Sequence, residues 1–187
     1  MKLRLITTGI CLVFGLLTIT NGYSQNSAPL SPVDQGSWII GGGVGPGTDI
    51  FGNGRGLGFG IKFYFENGIW QLGPGVLTLG GDLGFSIFSN RFLGEYHEVW
   101  NNVMFGARSA YHYGWNVPGL DTYGGVPLGI GFSFYHHGRL YTGYQPIYPY
   151  LGFFIGTSYF FNKIIGINGE FGYNVTYANI GVIVKLH

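Results

Sequence analysis

The chain has 187 residues, of which only 9% are charged and 18% aromatic, with 36 glycines and a formal net charge of +1. Soluble domains average about 25% charged residues, and disorder requires low hydrophobicity with high net charge, so this composition excludes both and calls for a surface that faces something other than water. No cationic excess exists to hold nucleic acid, so nucleic-acid binding is excluded as well.

At the N-terminus, Lys2 and Arg4 precede a 13-residue apolar run, Leu5 to Leu17, and a polar segment that ends Gly22-Tyr23-Ser24. Charge, length and small residues at the end are those of a secretory signal peptide. As a helix, 13 residues span about 20 Å against roughly 30 Å of hydrocarbon, too short for a membrane anchor. Cys11 lies inside the run behind Ile10, which does not fit a lipoprotein signal. Cleavage after Ser24 leaves 163 residues with 7 Lys+Arg and 8 Asp+Glu, and removes the single cysteine, so no disulfide or thiolate metal site is expected. The expected mature N-terminus is Gln25. Intact-mass measurement checks this, and retention of Met1 to Ser24 overturns the export argument. Residues 25–35 then read as a flexible lead-in, and 36–187 as one domain.

The first clear periodicity runs from Leu57 to Phe65, where Leu57, Phe59, Ile61, Phe63 and Phe65 alternate with Gly58, Gly60, Lys62 and Tyr64. That is a period of two, the signature of a strand. It returns from Leu77 to Ile87 and again from Ala178 to Leu186. One face is uniformly apolar; the other is glycine, serine, threonine and tyrosine with isolated charges, as in the crowded interior of a narrow barrel. Between Arg139 and Lys163 no charged residue occurs, yet Pro146, Pro149, Gly143, Gly152 and Gly156 disfavour a spanning helix. In chain order the pattern predicts strands over 37–45, 56–66, 75–88, 100–113, 120–135, 147–161, 165–174 and 176–186. Eight is an even number, so hairpin connections close an antiparallel up-and-down transmembrane β-barrel with both termini at one end.

Turns are expected at Asn67-Gly68, Pro74-Gly75, Pro118-Gly119 and Asn162-Lys163 at the terminus-bearing end, within 67–74, 114–119 and 162–164. The opposite connections fall at 46–55, 89–99 and 136–146, with a very short one at Asn174-Val175. Trp70, Trp100, Trp115, Tyr159 and Tyr177 lie near strand ends, where amphipathic rings form interfacial girdles.

The segments Gly106-Ala107-Arg108-Ser109-Ala110-Tyr111-His112-Tyr113, Leu120-Asp121-Thr122-Tyr123-Gly124-Gly125 and Gly156-Thr157-Ser158-Tyr159-Phe160-Phe161, with Glu170-Phe171-Gly172-Tyr173 and the ending from Asn179 to Leu186, carry a resemblance. Over about residues 36–187 the chain resembles small eight-stranded outer-membrane barrels of the OmpA transmembrane-domain, OmpX and OmpW type, and the "outer membrane beta-barrel protein" group. The resemblance implies a Gram-negative outer membrane with periplasmic termini, outer-membrane lipid around the wall, and the barrel-assembly machinery as partner in biogenesis. Such barrels commonly end on an aromatic residue, whereas this sequence ends Leu186-His187.

A search for chemistry returns little. His97-Glu98-Val99-Trp100-Asn101 begins like a zinc-protease signature, but Asn101 stands where the second histidine belongs. The glycine-rich runs at 41–47 and 52–60 match no phosphate-binding pattern. Ser86, Ser109, Ser133 and Ser158 sit in strand patterns without a nucleophile elbow. No cofactor, metal or catalytic site is therefore expected. What remains is a lumen charge cluster of Lys62, Asp82, Arg108, Glu170 and Lys185, with His112 and Asp121 toward the terminus-bearing end. Unpaired ions in so narrow an interior are costly, so these groups should pair across it. The segment from His136 to Pro146 offers His136, His137, Arg139, Tyr141 and Tyr144 for loop contact with an unidentified surface ligand. The expectation is a non-catalytic barrel serving membrane integrity or surface contact. A small-solute or ion channel and a lipid-A-modifying enzyme are the alternatives.

Overall fold

The computed structural model describes residues 32–48, 57–92, 96–137 and 147–186. They form strands β1 (Trp38–Pro46), β2 (Leu57–Leu72), β3 (Gly75–Phe92), β4 (Tyr96–Gly114), β5 (Leu120–His137), β6 (Ile147–Leu151), β7 (Phe153–Phe160), β8 (Ile165–Tyr173) and β9 (Ala178–Leu186). β6 and β7 both pair with β5 and are two segments of one barrel strand, separated at Gly152. Every pairing is antiparallel between chain neighbours, and β1 pairs with β9, which closes the sheet into an eight-stranded barrel. Closure leaves no sheet edge in the wall.

The period of two decides which residues face out. Phe59, Phe63 and Phe65 on β2, Leu79, Leu83, Phe85 and Ile87 on β3, Val126, Leu128 and Ile130 on β5, and Ile180 and Val182 on β9 are all exposed. Their strand neighbours Lys62, Tyr64, Glu66, Asp82 and Ser86 are buried. This reverses the soluble rule of apolar inside and polar outside, and it is stable where the wall meets hydrocarbon. Trp38, Trp70, Trp115, Tyr159 and Phe161 stand exposed around the terminus-bearing end, with Tyr113 against Trp115 and Tyr159 against Phe161. Tyr177, against Tyr173, and the half-buried Trp100 lie toward the other end.

Three expectations are corrected. Asn67-Gly68 is not a turn: β2 runs on to Leu72, with a bulge that leaves Ile69 unpaired between Gly68, opposite Thr78, and Trp70, opposite Leu77. One extra residue reverses the inside–outside alternation, which brings the even-numbered Trp70 and Leu72 to the outer wall. The turn itself is Gly73-Pro74, where Gly73 takes φ +58°. Second, residues 89–92 and 96–99 are not loop, because β3 and β4 stay paired from Phe92 opposite Tyr96 inward. Third, the end of the lead-in is packed. Val33 is fully buried with Ile39, Tyr64, Val76, Phe160 and Ile183. The carbonyl of Ile69, freed by the bulge, accepts from the Gln35 side chain at 3.0 Å.

At the opposite end the tight connection between β8 and β9 folds inward. Val175 is buried with Met104, Tyr148 and Tyr150. Gly84 makes room for it, since a Cβ there would lie 2.0 Å from a Val175 methyl.

Candidate functional site

Strand alternation sends the charged groups of one network inward from four strands. From β2 come Lys62 and Glu66, four residues apart on the inner face; from β4 come Arg108 and His112; from β5, Asp121; and from β8, Glu170. Arg108 and Glu66 are 0% exposed, Lys62 1% and Glu170 2%. An unpaired ion so far from water would cost several kcal/mol, and here each has a counter-ion.

Arg108 is the hub. Its Nε donates to Glu66, and its Nη2 donates to Glu170 Oε2 at 2.8 Å. The guanidinium carbon lies over the rings of Phe154 and Tyr64, 3.7 and 4.1 Å from their centroids. Both rings are within cation–π reach of the charge, while Nε and Nη2 point to the two carboxylates. Lys62 donates to the other oxygen of Glu170.

Glu66 extends the network toward the terminus-bearing end. Its Oε2 accepts from Thr78 Oγ1 at 2.6 Å and faces His112 Nε2 at 2.9 Å, while His112 Nδ1 faces Asp121 Oδ2 at 2.7 Å. With a carboxylate on each ring nitrogen, both contacts are donor-to-acceptor in the imidazolium form. In that form Lys62, Arg108 and His112 balance Glu66, Glu170 and Asp121. The imidazole stacks on Tyr123, centroids 5.0 Å apart.

Of the five residues expected to form one cluster, the structure joins Lys62, Arg108 and Glu170. Asp82 is inward and buried, opposite Tyr64 and within electrostatic reach of Lys62, but its hydrogen bonds come from Tyr150 Oη at 2.7 Å and Asn174 Nδ2 at 3.0 Å. Lys185 is also inward, and it donates to the Pro32 carbonyl at 2.6 Å with Asp34 4.0 Å away. Asp82 and Lys185 each lie next to a segment that folds inward: Asp82 accepts from Asn174 of the β8–β9 connection, and Lys185, at the terminus-bearing mouth, donates to the lead-in.

Glu66 was missed. It lies inside the strand expected over 56–66 and has the same parity as Lys62 and Tyr64, so carrying the alternation one residue past Phe65 would have found it. Of the loop candidates, His136 and His137 end β5 opposite Val99 and Glu98, while Arg139, Tyr141 and Tyr144 lie outside the described residues. Ser109 donates to the Thr78 carbonyl at 3.0 Å, and both nitrogens of His112 face carboxylates. No described serine therefore has His112 as its base.

A closed eight-stranded antiparallel barrel with an apolar wall, aromatic rings at its ends and a charged interior is a small outer-membrane β-barrel. No protein-family model matches the chain, and no curated protein matches it. Among solved structures it is similar to the crystal structure of Ail, the attachment invasion locus protein of Yersinia pestis, at 12% identity and TM-score 0.43 over 81% of this chain and 96% of that one. The same protein in complex with the heparin analogue sucrose octasulfate matches at 12% identity and TM-score 0.42, over the same shares of the two chains. Its backbone structure in a phospholipid bilayer nanodisc matches at 14% identity and TM-score 0.38, over 82% of this chain and all of that one.

Proposed function

We propose that this is a non-catalytic barrel of the bacterial outer membrane, with periplasmic termini, that supports membrane integrity and makes surface contacts through its exposed connections. The observation that carries the reading is the packed interior. Six charged groups are consumed in mutual ion pairs, and the described lumen is filled at one mouth by Val33 and at the other by Val175. An eight-stranded barrel has room for little beyond its own side chains, so these groups act as a plug. Neither the small-solute channel nor the lipid-A-modifying enzyme finds an observation that favours it over the plug.

Contact with the outside is assigned to the tall side of the barrel. β3, β4 and β5 have 18, 19 and 18 residues, well beyond the 9–11 or so that a tilted strand needs to cross, whereas β1, β8 and β9 have 9 each. The apolar face of β3 ends at Ile87, after which the paired ribbon continues through Ser89-Asn90-Arg91 and Tyr96-His97-Glu98. Outer-membrane lipid surrounds the wall, and the barrel-assembly machinery inserts it.

Two measurements test this. In planar bilayers the purified barrel is expected to carry no steady current; discrete openings at moderate voltage would replace the plug with a channel. On intact cells a protease or epitope probe between His136 and Tyr144 should be reached, and one between Asn162 and Ile164 should not. Equal access would overturn the orientation.

A further inference from the structure

The buried polar groups nearly complete a closed ring around the inside of the barrel. Glu66 binds Arg108, Arg108 binds Glu170, and Tyr123 Oη donates to Glu170 Oε2 at 3.5 Å. Asn168 Nδ2 donates to Tyr123 Oη at 3.5 Å and Tyr64 Oη at 3.1 Å. From the other direction Glu66 faces His112, and His112 faces Asp121. One gap is left, between Asp121 and Asn168.

Ser158 of β7 spans that gap. It lies directly opposite Asp121 of β5 on one side and Asn168 of β8 on the other. Directly opposed residues on one sheet face carry Cβ atoms about 5 Å apart, so the three inward side chains form a single row. They are 0, 1 and 2% exposed. Each has one oxygen without a hydrogen-bond partner among the described residues: Asp121 Oδ1, Ser158 Oγ and Asn168 Oδ1. Three such orphans side by side are uncommon, because buried polar atoms are nearly always satisfied by protein or by ordered water.

The chemistry of the three atoms defines their partner. The carboxylate oxygen and the amide oxygen only accept, while the hydroxyl has one proton to give. A partner must therefore donate twice and accept once. We infer that an ordered water molecule is bound on the Asp121–Ser158–Asn168 row, donating to Asp121 Oδ1 and Asn168 Oδ1 and accepting from Ser158 Oγ, and that it closes the hydrogen-bonded ring. A metal cation offers oxygen affinity but no donor, and it would add charge beside the His112 imidazolium, where the ion pairs already balance.

The test is water-to-protein magnetisation transfer by NMR on the labelled full-length mature barrel, folded in lipid. The expected result is a slowly exchanging water with cross-peaks to the Ser158 side chain and the Asn168 amide. Ser158→Val fills the space and removes the hydroxyl, and it should abolish those peaks while resonances of Lys62 and Glu170 keep their positions. The folded state of each variant is established separately by its heat-modifiable migration in detergent gels. Absence of the water peaks in the folded native protein, or their persistence in folded Ser158→Val, overturns the inference. So does a shift of the Asp121 carboxyl resonance that tracks sodium or potassium concentration, which would assign the row to a cation.

Discussion

Replacing Arg108 with methionine should destabilise the barrel by about 3–5 kcal/mol in urea unfolding, more than any other single change in the lumen. The side chain is fully buried and bonded to two carboxylates, and its removal leaves Glu66 and Glu170 with one cationic partner each. Three carboxylates then face two cations in a space closed to bulk solvent. Methionine also gives up the cation–π contacts with Phe154 and Tyr64, although it refills much of the volume beside them. Second-site changes identify which carboxylate suffers. Arg108→Met with Glu66→Gln leaves two complete pairs, Lys62 with Glu170 and His112 with Asp121. Arg108→Met with Glu170→Gln instead strips Lys62 of its carboxylate. Both double variants should cost less than the sum of their singles, and the Glu66 combination should recover more. Strict additivity, or the opposite order, would show that the charges are held by packing and not by one another.

Much of this arrangement is legible in the sequence because a barrel strand repeats its burial pattern at every second residue. The parity of Phe59, Ile61, Phe63 and Phe65 fixes Lys62 and Tyr64 as inward, and the parity of Phe105 and Ala107 does the same for Arg108. What escapes is what breaks the period. The Asn67-Gly68 pair has the chemistry of a hairpin turn, so the expected strand stops at Glu66, whereas β2 runs on to Leu72 and the fold uses the glycine to begin a bulge. In β7 both Phe153 and Phe154 are aromatic, and alternation alone does not say which ring lies against Arg108. Strand parity gives a facing but not the partner, which is why Asp82 and Lys185 read as members of one ion-paired cluster although Asp82 is bonded to Tyr150 and Asn174, and Lys185 to the lead-in at the terminus-bearing mouth.

Val33 is the residue least legible of all, lying in Ser31-Pro32-Val33-Asp34-Gln35, which has the composition of a linker. Substituting it with aspartate should nevertheless lower stability by about 3 kcal/mol or more. A carboxylate is not accommodated among Ile39, Tyr64, Val76, Phe160 and Ile183, so the segment must leave the barrel mouth. The cost is then bounded by what the segment contributes when docked. Burial of the valine side chain accounts for about 1.5–3 kcal/mol. The bond from Lys185 to the Pro32 carbonyl adds roughly another 1.5–3 kcal/mol, because its donor is charged and sits in a mostly buried site. Since undocking sets the limit, deleting residues 25–35 should produce a urea midpoint close to that of Val33→Asp. A deletion that costs stability while Val33→Asp does not would move the anchor to another residue of the segment. Unchanged midpoints in both would mean that the lead-in hangs free, and that Lys185 finds its compensation elsewhere.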